Sequence, residues 1–137
     1  MCCCRHWPAI HVVLFVTALI TWSVALLIPV PHEAAHDVLG SDFGIFIFAK
    51  GLHVCAYTFL TILGGTAAWF GKKWIWILPA LVAHGAITEF FQQFTGRTAR
   101  IEDVGLDSLG IAIGGLLIWV FRRTRLSRTE EGSTSQQ

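Results

Sequence analysis

The residues best suited to chemistry in this chain are polar side chains set in apolar surroundings. Lys50, His53 and Tyr57 are spaced i, i+3, i+7, so a helix presents all three on one face. Glu89, Gln92 and Gln93, at i, i+3, i+4, make a second such face. Asp103 and Asp107, at i, i+4, make a third, and Gly110 and Gly114 extend it. Groups of this kind can hold a charged or hydrogen-bonding ligand. They can also run acid–base chemistry, with His53 and Glu89 or Asp103 as base and orienter and Tyr57 as proton donor.

The elements that must position them are apolar. Of 137 residues, 54% are hydrophobic and 14% charged, and mean hydropathy is +0.61. With the 13 glycines counted, about 63% of the chain is apolar, against roughly 45–50% in ordinary soluble domains. A soluble domain of this length could not hide so much apolar surface, and the composition excludes disorder. A net charge of +1 excludes a basic nucleic-acid binder. A membrane span needs about 20 mostly apolar residues. Four stretches qualify, at about 9–30, 43–70, 74–94 and 104–121. The chain therefore reads as all-α, a four-span transmembrane helical bundle. An N-tail of 1–8 precedes the membrane domain of 9–123, and a polar tail of 124–137 follows it. The first run is longer than a signal-peptide core and lacks a cleavage pattern, so it reads as a retained span.

Basic residues orient the bundle. Arg5, Lys72, Lys73, Arg122, Arg123, Arg125 and Arg128 fall on one side if both termini are cytoplasmic, together with Glu130 and Glu131, a net of +5. The other side carries Lys50, Arg97 and Arg100 against seven acidic residues, a net of −4. Trp7, Trp69, Trp74, Trp76 and Trp119 then sit near cytoplasmic span ends, as interfacial anchors do. At 1.5 Å per residue, Lys50 lies roughly 10 Å, Glu89 roughly 8 Å and Asp107 roughly 6 Å below the outer span ends. Three separately encoded faces thus converge on one layer. The sequence predicts an interior cluster of Lys50, His53, Tyr57, Glu89, Gln92 or Gln93, Asp103 and Asp107, lidded by Arg97 and Arg100. Its bland alternative is glue, with Lys50 neutralising Glu89 or Asp107. Gly110-x-x-x-Gly114 allows a close helix approach, and Gly64-Gly65 is a candidate for the same use.

Other motifs read more simply. His32-Glu33-Ala34-Ala35-His36 matches the zinc-protease string H-E-x-x-H literally. It follows Pro29 and Pro31 in a short loop with no domain to form a cleft, and it reads as a solvated loop. Cys2, Cys3 and Cys4 lack metal-ligand spacing, and no metal or cofactor is expected. Cys55 reads as a packing residue, and His11 and His84 as single histidines without partners. Ser108 and Cys55 are the only nearby hydroxyl or thiol nucleophiles apart from threonines and the tyrosine.

Lys50-x-x-His53-x-x-x-Tyr57, then Glu89-x-x-Gln92-x-x-x-Gly96-Arg97, then Asp103 and Gly110, resembles the VanZ-like family of small bacterial membrane proteins. The resemblance runs from about Phe43 to Leu117 and is compatible with the preceding span. It places the family's polar signature on Lys50, His53, Tyr57, Glu89, Gln92, Arg97, Asp103 and Gly110. Asp107 departs from it, since the family usually has asparagine there, and the extra carboxylate makes the cluster more acidic. The family takes its name from a member associated with low-level teicoplanin resistance. The resemblance implies a multi-pass protein of the bacterial cytoplasmic membrane with an envelope-related or antibiotic-resistance role.

Three functions compete. The cluster, with Lys50, His53, Tyr57, Glu89, Gln92, Arg97, Arg100, Asp103 and Asp107, can bind a lipid head group, a lipid-linked wall precursor or a lipophilic glycopeptide. Basic residues would then meet a phosphate or carboxylate. It can instead catalyse a reaction on a lipid head group, with His53, Glu89 and Tyr57 as catalytic candidates. Or it can hold together a structural or partner subunit. Four spans are few for a transporter, so a pore or carrier would require a homo-oligomer.

Overall fold

The computed structural model describes residues 7–28, 36–37, 40–67, 71–95 and 100–134, with 7–8, 71–72 and 125–134 described by backbone alone. The described residues are almost wholly helical. Helix α1 spans Trp7–Leu27, α2 Asp42–Thr66, α3 Ile77–Gln92 and α4 Ile101–Thr134, and a 3₁₀ segment, Gly71–Trp76, leads into α3. Helices α1, α2 and α4, and α3 taken together with the end of the 3₁₀ segment as Lys73–Gln92, are long and apolar enough to cross a membrane.

The helix ends follow local chemistry. Pro8 sits in the first turn of α1, where its missing N–H leaves no bond unmade. The helix stops at Leu27, three residues short of the expected end, because Pro29 disfavours helical geometry at the residue before it. Gly40, at φ 70°, turns the chain into α2, and the Ser41 side chain caps it by accepting from the Gly44 N–H at 3.1 Å. Helix α2 was expected to reach Phe70 but ends at Thr66, just after two consecutive glycines that weaken the helix. Helix α3 carries Pro79 in its first turn and ends at Gln92 rather than Phe94. Helix α4 starts at Ile101, three residues early, with Glu102 and Asp103 in its first turn, where carboxylates complement the helix dipole. It continues through the stretch read as a polar tail, where no proline intervenes and Arg, Leu and Glu favour helix.

The packing is that of a membrane protein. Among the described residues, eight hydrophobic side chains are buried while 28 large ones are exposed. This inverts the pattern of a soluble domain and fits a bundle solvated by hydrocarbon. The chain is a multi-pass membrane protein of helical-bundle architecture. Tyr57, Leu60, Ile77, Leu81 and Ile111 form the apolar core, with Phe15, Leu19 and Trp22 of α1 packed on it.

The closest contact joins α2 and α4. A Cβ built on Gly110 would lie 2.5 Å from the Val54 carbonyl oxygen and 3.2 Å from the Thr58 nitrogen, both backbone atoms. One built on Gly114 would lie 2.9 Å from the Thr58 carbonyl oxygen. The G-x-x-x-G pair thus docks α4 directly on the α2 backbone, and the Thr58 hydroxyl, 2.7 Å from Val54 O, is also 3.0 Å from Gly110 O. Gly64 and Gly65 serve other contacts, against Phe15 and Ile77 and against Ile118. At the far end of the same interface, Arg122 donates to the Gly65 carbonyl at 3.0 Å, which satisfies one orphan acceptor at the end of α2.

A buried polar ladder as the candidate functional site

Three polar rungs follow the α2 register of 50, 53 and 57, about one turn apart, the first two between the docked helices and the third from α2 to α3 and α1. In the first rung, Lys50 of α2 is ion-paired with Asp103 of α4, both side chains mostly buried. In the second, His53 Nδ1 lies 2.8 Å from Asp107 Oδ1. Asp107 is 1% exposed and His53 7%. In the third, the hydroxyl of Tyr57, fully buried, lies 3.0 Å from His84 Nδ1 of α3, and His84 Nε2 lies 2.8 Å from Ser23 Oγ of α1. Each helix contributes at least one polar group.

Side groups brace the ladder. The Trp22 indole stands edge-on to His53 at 5.6 Å and to Tyr57 at 6.4 Å. The Arg100 backbone N–H donates to Glu89 Oε2 at 3.0 Å, closing the start of α4 over α3. Lys50 also lies 5.3 Å from the centre of the Phe46 ring.

Lys50, His53, Tyr57, Glu89, Asp103 and Asp107 come together in the interior. Lys50 pairs with Asp103, not with Glu89 or Asp107. The orienter of His53 is Asp107, not Glu89 or Asp103. Gln92 is buried but turned aside, since its amide donates to the Leu26 carbonyl at 3.2 Å and pins α1. Gln93 is exposed. Arg100 engages the cluster through its backbone N–H. Arg97 lies outside the described residues, as do Cys2–Cys4, Trp69 and four of the five residues of the H-E-x-x-H string.

Two further readings change. Cys55 is exposed on the bundle surface and does not pack inside it. His84, read as a histidine without partners, holds the third rung together. Trp22 and Ser23 were missed, because single residues in an apolar run carry no spacing signal. The nucleophile question also narrows: the Ser108 hydroxyl donates to the Val104 carbonyl at 2.8 Å, and Cys55 faces away. Among the described residues no three His, Cys, Asp or Glu side chains are placed to hold a metal ion.

The hydrogen-bond census gives the site its chemical character. Among the described residues, three buried side-chain atoms have no hydrogen-bond partner: Glu89 Oε1, Asp107 Oδ2 and Trp22 Nε1. Buried polar atoms are almost always satisfied, so such orphans call for an explanation. Two of the three are carboxylate acceptors. Lys50 is consumed by Asp103, and His53 by Asp107, which leaves Glu89 with a single N–H donor. The spare valences of the described site therefore favour a ligand rich in donors.

Comparison of the chain with protein families, with curated proteins and with solved structures finds no match.

Proposed function

We propose that this protein is a VanZ-like polytopic protein of the bacterial cytoplasmic membrane, with both termini cytoplasmic. In this reading it receives the head group of an amphiphile in the ladder near the outer leaflet. The ligand class is a membrane lipid, a lipid-linked wall precursor or a lipophilic glycopeptide, and the role is in the envelope or in resistance. The observation that carries this reading is the pair of buried carboxylate oxygens without partners among the described residues, Glu89 Oε1 and Asp107 Oδ2, to which the unpartnered Trp22 N–H adds a third open group. Three such groups within one bundle interior cost stability that apolar side chains would not, and intramembrane ionisable residues mark function by default. They are complementary to ammonium, hydroxyl or amide donors on a head group. Lys50, held by Asp103, serves to fix α4 and to neutralise one carboxylate, rather than to capture a phosphate on its own.

The test is binding of an amphiphile panel by the purified full-length protein in detergent. Ligands that carry an amine or sugar are compared with purely anionic ones. Glu89→Gln replaces one acceptor oxygen by a donor and is expected to weaken a donor-bearing ligand about tenfold, the equivalent of roughly 1.4 kcal/mol. Lys50→Ala, which frees Asp103, is expected to change which ligands bind. Identical binding by wild type and both variants overturns the proposal.

A further inference from the structure

Proton positions in the third rung follow from what each atom can do. The Ser23 Oγ lies 2.8 Å from the Leu19 carbonyl, which can only accept, so the Ser23 proton is committed there. Ser23 Oγ must then accept from His84, so Nε2 carries the ring proton. In neutral His84, Nδ1 is a lone pair, and it takes the single proton of the Tyr57 hydroxyl at 3.0 Å.

Tyr57 has a second acceptor within its surroundings. A Cβ built on Gly85 would lie 3.2 Å from the Tyr57 hydroxyl and 2.7 Å from Asp107 Oδ2, so the two oxygens flank the same bare spot on α3. That spot is open only because residue 85 has no side chain. Asp107 Oδ2 is also one of the atoms left without a donor. As it stands, the Tyr57 oxygen is seated on His84 Nδ1 and not on Asp107 Oδ2.

We propose that His84 Nδ1 is a proton-binding site whose occupation re-aims the Tyr57 hydroxyl from His84 to Asp107. The added proton sits on Nδ1 and donates to the Tyr57 oxygen. The Tyr57 O–H, released as a donor, then turns to Asp107 Oδ2. No covalent bond other than the new N–H forms. The uptake of one proton satisfies the orphan carboxylate oxygen and places a positive imidazolium near a negative carboxylate in a medium of low dielectric. The groups facing His84 support this assignment. From α1 it meets Ser23, which is uncharged; from α2, Tyr57, with His53 one turn beyond; and from α4, the charge of Asp107. The ladder then has two states that differ at Asp107, the carboxylate that also orients His53, so proton uptake resets the second rung.

Tyr57 is the only tyrosine in the chain, so one labelled resonance reports on it. The experiment uses the full-length protein in phosphatidylcholine nanodiscs, with ¹³Cζ-tyrosine and ¹⁵N-histidine, titrated over the histidine range of about pH 8 to 5. The expected result is a single step in the tyrosine ¹³Cζ shift, at the same midpoint as protonation of His84 Nδ1. His84→Gln, whose side-chain oxygen can still accept from Tyr57 while its amide donates to Ser23, is expected to abolish the step. Asp107→Asn is expected to lower the midpoint by about one unit, a tenfold weaker hold on the proton. A tyrosine signal that stays flat, a step that survives His84→Gln, or a midpoint indifferent to Asp107→Asn overturns the proposal. The wild-type comparison of the two midpoints needs no variant to fold.

Discussion

Asp107→Ala is expected to be the most damaging single substitution at the site, destabilising the protein by about 3 kcal/mol. Removing one member of a buried pair costs roughly 3–5 kcal/mol when the other is left charged. Interhelical hydrogen bonds in membranes are individually weaker, about 0.6 kcal/mol on average. The larger figure governs here because Asp107 is 1% exposed and the substitution also opens a hole between α2, α3 and α4. His53 would be left with an N–H and no acceptor. The decisive comparison is with the double variant His53→Leu, Asp107→Leu, in which neither member remains. Replacing both partners by apolar groups is often neutral, so the double variant is expected to recover most of the loss. Unfolding in mixed micelles measures all of these. A double variant as unstable as the sum of its parts would show that the pair is not coupled.

Gly110→Ala is expected to cost about 2 kcal/mol and to weaken ligand binding with it. Overpacking costs typically 1–3 kcal/mol. At Gly110 the obstacle is the Val54 carbonyl oxygen, 2.5 Å from the new methyl, and backbone cannot rotate out of the way. The helices must separate, and α2 carries Lys50, His53 and Tyr57 while α4 carries Asp103 and Asp107. Separation therefore loosens the first two rungs together, and an affinity loss of about tenfold corresponds to roughly 1.4 kcal/mol. Gly51→Ala and Gly105→Ala supply the contrast on the same two helices, since a Cβ at either position meets nothing within 4 Å. Both are expected to be neutral or stabilising by up to about 1 kcal/mol, the helix preference of alanine over glycine. Binding and unfolding measured on the three alanine variants separate close packing from helix propensity.

The residues that were legible in the sequence are those that repeat on a face. Lys50, His53 and Tyr57 announce themselves by spacing, as do Asp103 and Asp107. The four apolar runs follow from composition, and Gly110 and Gly114 from their four-residue interval. The partners within the cluster were not legible, because spacing fixes a face but not which opposite group it meets. Lys50 chooses Asp103 and His53 chooses Asp107 through the register in which α4 docks on α2, and that register is set by backbone contact at Gly110. Gln92 shares the α3 face with Glu89, yet its amide N–H, a donor that a carboxylate lacks, takes it to the Leu26 carbonyl of α1. Trp22, Ser23 and His84 stand alone in apolar stretches, and only the fold shows that Trp22 and His84 meet Tyr57 and that Ser23 meets His84.

In the proposed reading, the orphan carboxylate oxygens mark a head-group site. Native mass spectrometry of the protein released directly from membranes tests it most directly. One bound lipid or lipid-linked molecule with hydrogen-bond donors in its head group is expected, retained by wild type and lost or reduced about tenfold in Glu89→Gln. A protein that emerges with no retained amphiphile, or with the same complement of lipids in wild type and Glu89→Gln, would contradict it.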